Sequence, residues 1–78
     1  MLHRERGYVF KFYASDGREP AHVHVLGNGG DAKIWLMPSV EIADSWGYDV
    51  RQRNTISKVT KEHRDEWLAA WGRFFGRA

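Results

Sequence analysis

Apolar and polar residues alternate with the two-residue period of a β-strand through the first half of the chain. The last third follows the helical period instead. From 7 to 14, Tyr8, Phe10 and Phe12 share one face, and Val9, Lys11 and Tyr13 the other. Ser15-Asp16-Gly17 signals a turn, and Arg18-Glu19-Pro20 extends it as a loop. A second strand is predicted over 22–26, with Val23 and Val25 on one face and His22 and His24 on the other. Gly27-Asn28-Gly29-Gly30 supplies the positive-φ residues of a tight hairpin. The third strand, 32–37, groups Ala32, Ile34 and Leu36 against Lys33, Trp35 and Met37. Pro38-Ser39 ends it, and 40–43 forms a short fourth strand at most.

Asp49 reads as a helix N-cap, with Gln52 three residues on as a variant capping box. Gln52, Ile56, Val59, His63, Trp67, Trp71 and Phe74 then keep the helical period. The stripe fits one long helix, or two with a break near 60–63, and Gly76 stands where a stop is expected. The expected architecture is α+β: a small antiparallel sheet of three to four strands packed on one long or two short C-terminal helices. It forms a single domain over 1–78, with the sheet at about 7–43 and the helical part at about 50–75. Phe10, Phe12, Val23, Val25, Ile34 and Leu36 would meet the helical stripe. Lys11, Tyr13, His22, His24, Lys33 and Trp35 would gather on the opposite face.

Composition narrows the function classes. With 78 residues there is room for one core, and the aromatic residues can fill it without staples. The absence of cysteine removes thiolate nucleophiles and cysteine zinc sites and favours the cytoplasm. No run is apolar enough for a membrane span or a signal peptide, so no membrane partner is expected. Charge is uneven: residues 1–48 hold five Lys/Arg against six Asp/Glu, and 49–78 hold seven against four. The helical end is thus the better face for an acidic partner.

His22 and His24 are the candidate chemistry, since two residues apart in a strand they project from one face. Three readings compete. They are polar strand residues packed on Tyr13 or Trp35; or they are general acid and base, or phosphate contacts, beside Lys11, Tyr13 and Lys33 in metal-free RNA cleavage. In the third they ligate a metal with His63, His3 or Asp31. The spacing offers no clear third ligand, so no metal or other cofactor is expected. Arg51, Arg53, Lys58, Lys61 and Arg64 either track a nucleic-acid backbone or form a solvated helix face beside Asp49, Glu62, Asp65 and Glu66. No helix-turn-helix spacing accompanies them, which favours the solvated face. Phe74 and Phe75 are adjacent, so both cannot face inward on a helix. One of them reaches the surface, where a homodimer or partner protein can cover it. The glycine run is not a phosphate loop, because no Gly-Lys-Ser/Thr follows it.

Glu19-Pro20-Ala21-His22-Val23-His24-Val25 resembles the Glu-Pro-Pro-His-aromatic/Val-His-Val signature of the bacterial family called domain of unknown function 4160. The resemblance extends through the opening strand to Tyr13, Ala32-Lys33-Ile34-Trp35-Leu36 and the ending from Trp71 to Phe75. Ala21 departs from the usual second proline. The resemblance implies a small prokaryotic protein, often encoded beside another small protein in a toxin–antitoxin-like pair. The expected function is therefore a component of such a pair acting on RNA or translation, centred on His22 and His24 with Lys11, Tyr13 and Lys33. Arg51, Arg53, Lys58 and Phe75 are the expected nucleic-acid or partner contacts. The alternative is a non-catalytic module that pairs with or neutralises a partner protein.

Overall fold

Five antiparallel strands run in chain order across one sheet in the computed structural model, which describes residues 2–76. They are β1 His3–Glu5, β2 Tyr8–Lys11, β3 His22–Gly27, β4 Gly30–Trp35 and β5 Glu41–Trp46. One helix, α1 Val50–Phe75, follows and covers one face. The class is α+β, but the strand count is five rather than three to four, because β1 joins at one edge and β5 extends to Trp46.

The β3–β4 hairpin forms where the glycine run predicts it. Gly27 pairs with Gly30, and the two central residues, Asn28 and Gly29, both have positive φ. That is the twist-matched two-residue turn. Arg6 and Gly7 make a second such turn between β1 and β2, with Glu5 paired to Tyr8. In β5 a bulge changes the register: Lys33 pairs with Asp44, yet Ile34 pairs with Ile42. The extra residue keeps Ile42 on the helix side while turning Asp44 to the opposite face beside Lys33.

The core is the inner sheet face against the helical stripe. Phe10, Val23, Val25 and Ile34 are fully buried with Ile56, and Trp67 closes over Phe10 at a ring separation of 5.1 Å. At roughly 25 cal/mol per Å2 of apolar surface, such burial is the main source of stability. The helix is continuous through 60–63. Thr60 is buried, and its hydroxyl donates to the Ile56 carbonyl at 2.7 Å, so a polar residue sits in the packed stripe without breaking it. Asp49 caps the first turn as expected: its carboxylate accepts from the Gln52 amide at 2.8 Å, and the Gln52 side chain accepts from the Asp49 amide at 3.0 Å. Gly76 ends the helix in the left-handed conformation. Among the described residues, no helix is long and apolar enough to cross a membrane.

Candidate functional site

The outer sheet face begins with a row set by register. Lys11 pairs with His24, and His24 pairs with Lys33, so an imidazole stands between two lysines on three adjacent strands. Neighbouring strands lie about 4.8 Å apart, which keeps both cations within reach of one ligand at His24. Tyr13, just past β2, lays its ring 4.4 Å from that of His24. The Lys11 ammonium stands 4.9 Å over the Tyr13 ring, and that of Lys33 lies 4.5 Å over Trp35. A cleft of about 310 Å3 opens here between Tyr13, His24, Lys33, Asp44 and Trp46.

Behind the row lies Asp16, on the 3₁₀ turn Ala14–Arg18 that links β2 to β3. Its carboxylate accepts from the Tyr13 amide at 2.8 Å, which fixes the turn. The same carboxylate meets both histidines: His22 Nε2 stands 3.2 Å from Oδ1, and His24 Nε2 stands 3.1 Å from Oδ2. Burial raises the Asp16 carboxyl. The Tyr13 N–H, the His24 ring and the charge of both imidazoles outweigh that effect and hold it below the usual range.

The two histidines are not equivalent. His22 has 1% of its side chain exposed, packed between Trp35 and Trp71, and its Nδ1 donates to the Pro20 carbonyl at 2.9 Å. His24 has 23% exposed and faces the cleft. Of the two expected acid–base groups, only His24 is open to a substrate in the cleft. His22 is walled off from solvent, with Nε2 turned to Asp16. Lys33 is bound by the Glu19 carboxylate, which that ammonium holds below the usual range.

A family model described as Domain of unknown function (DUF4160) matches residues 7–72. The chain belongs to this family. Comparison with curated proteins and with solved structures found no match. The DUF4160 span contains Asp16, His22, His24, Lys11, Tyr13 and Lys33, and it includes the helix as far as Gly72.

The expected contacts outside this face are scattered over the DUF4160 fold. Arg53 donates to the Tyr48 carbonyl at 2.7 Å, and Arg64 donates to the Leu36 carbonyl at 2.8 Å, so both tie the helix to the segments it packs on. Arg51 and Lys58 are exposed around a shallow depression with Val50 and Asn54. Phe75 is half-buried against Trp71 and Gly17, and Phe74 is the exposed member of the pair.

The proposed third metal ligands are also elsewhere. Asp31 lines the far side of the cleft, while His3 and His63 meet Glu5 at the edge of the inner face. Asp16 is the residue that the sequence reading missed. A Ser-Asp-Gly turn explains its local role completely, and only the tertiary fold brings it to the histidines.

Proposed function

We propose that this chain acts on RNA through the outer sheet face centred on His24, as one member of a toxin–antitoxin-like pair. The observation that carries the reading is the Lys11–His24–Lys33 row with Asp16 behind it. Lysines on either side of an imidazole suit a phosphodiester, whose charge grows as the phosphorus is attacked. Tyr13 and the exposed Trp46 offer aromatic surfaces at the same cleft, the element that unpaired bases stack on. The Asp16–His22–His24 centre supplies the chemistry, and the phosphate is held by Lys11 and by Lys33, which exchanges Glu19 for it.

Induced expression in a bacterial host tests this. The reading expects wild type to arrest growth and an equally soluble His24→Ala variant to allow it. Arrest that is unchanged in His24→Ala removes the centre from the mechanism.

A second reading, a protein-binding module, is favoured by one observation. Phe74 is 58% exposed beside a small apolar groove of Leu2, Phe12 and Ala70. In this reading Phe74 anchors a partner and the histidines are structural.

A further inference from the structure

The Asp16–His22–His24 cluster brings two imidazoles and one carboxylate to a single point. His22 is buried, and both of its ring nitrogens face oxygen. Nδ1 is 2.9 Å from the Pro20 carbonyl, and Nε2 is 3.2 Å from Asp16 Oδ1. A carbonyl oxygen only accepts, so Nδ1 carries the proton. In the neutral ring, Nε2 then turns a lone pair toward a carboxylate. A cation completes the arrangement, either a proton on Nε2 or a metal ion in its place. A second ring nitrogen, His24 Nε2, converges on the same carboxylate at 3.1 Å.

We infer that this centre binds a first-row divalent transition metal, of which Zn2+ is the probe, through His22 Nε2, His24 Nε2 and the Asp16 carboxylate. The assignment rests on the reading of this face as the functional one and names the cofactor that it uses.

Three features support it. First, both imidazole nitrogens converge on the one Asp16 carboxylate. The two His–Asp separations of 3.1–3.2 Å lie between those of neighbouring ligands at right angles, about 2.9 Å, and in a tetrahedron, about 3.3 Å, for bonds of about 2.0–2.1 Å. Second, a histidine that ligates through one nitrogen usually donates the other N–H to a carbonyl or carboxylate, and Pro20 provides that carbonyl for His22. Third, the ligand set is two imidazoles and one carboxylate. Three protein ligands leave a coordination position open, as reactive sites do and closed structural sites do not. A Lewis acid beside the Lys11–His24–Lys33 row is what a phosphodiester substrate would use.

The other cluster fits less well. His3 Nε2 lies 2.8 Å from Glu5 Oε1, while His63 Nε2 stands off at 4.0 Å and its Nδ1 meets Glu66 instead. All three of those side chains are about a quarter exposed or more.

The test is calorimetric titration of the untagged 78-residue protein, stripped with chelator, with Zn2+ as the chloride salt. Wild type should bind one equivalent. His24→Ala keeps buried His22 in place and should remain folded by circular dichroism. It should weaken binding by more than about a hundredfold, beyond the loss of an outer partner alone. His63→Ala should leave binding unchanged. Wild type that is folded yet binds no Zn2+ overturns the assignment. So does binding that survives His24→Ala and disappears in His63→Ala, which places the ion at the other cluster. The two readings fail separately. Protein that cleaves RNA fully in chelator overturns the metal and keeps the RNA reading, whereas protein that binds Zn2+ at this site and leaves RNA intact does the reverse.

Discussion

His22 Nε2 stands 3.2 Å from Asp16 Oδ1, which ties the first residue of β3 to the middle of the turn that precedes it. One carboxylate thereby serves the Tyr13 amide and both histidines. In chelator, Asp16→Ala leaves the His22 ring and a backbone N–H without their acceptor. It should cost about 1–3 kcal/mol of stability. Urea unfolding of wild type and variant checks this, and an unchanged midpoint would mean that the turn is held elsewhere.

Tyr48 makes a separate prediction at alkaline pH. Its hydroxyl shares one proton between the Gly27 and Gly30 carbonyls at 2.8 and 3.0 Å. Burial, then the nearby Tyr8 and Asp31, push it up to about 12. The folded value exceeds that of the unfolded chain, about 10, so this contribution is complete below pH 10 and fades as pH rises through 10 to 12. Tyr48→Phe should be less stable at pH 8 by about 1 kcal/mol. The gap between the two proteins should close above pH 10, and a gap independent of pH would refute the assignment.

The hairpin glycines should respond unequally. A Cβ on Gly27, at φ +112°, would stand 2.2 Å from the Gly7 carbonyl oxygen of the β1–β2 turn. Gly29, at φ +84°, has open space around it. Gly29→Asn should cost about 1 kcal/mol or less, because asparagine tolerates the left-handed region. Gly27→Ala combines backbone strain, usually about 1–3 kcal/mol, with a clash and should cost about 3 kcal/mol or more in total. Thermal midpoints of the two variants would separate them.

Phe74 and Phe75 should likewise part company. Phe75 rests on Trp71 at a ring separation of 4.3 Å and against Gly17, so Phe75→Asp should destabilise by about 2 kcal/mol or more. Phe74→Asp should stay within about 0.5 kcal/mol of wild type. If the protein-binding reading is right, Phe74→Asp nevertheless abolishes arrest or neutralisation in the cell while the protein stays folded.

The parts of the fold that could be read from sequence were those set by local chemistry. Asn28-Gly29 dictates its turn, Asp49 and Gln52 satisfy each other at the helix start, and Gly76 accepts the left-handed stop. Ile56, Val59, Trp67 and Trp71 keep one period and one face. What escaped was decided at longer range. β1 is three polar residues, stabilised as a strand only by pairing with β2 and by the Arg6-Gly7 turn. β5 hides behind its bulge, because the extra residue interrupts the alternation that marks a strand. At the site, the row of Lys11, His24 and Lys33 follows from strand alternation, since all three belong to the polar face. Asp16 does not, because its place beside the histidines depends on how the turn folds back over β3. Nor does burial of His22, which needs Trp71 from the far end of the chain.

The most direct measurement is decay of a labelled RNA incubated with the purified wild-type protein and with His24→Ala, matched in concentration and circular dichroism. The account predicts cleavage by wild type and a loss of at least about a hundredfold in the variant, the scale of one positioned acid–base or Lewis-acid contribution. Equal rates in the two proteins, or intact RNA in both, would contradict it.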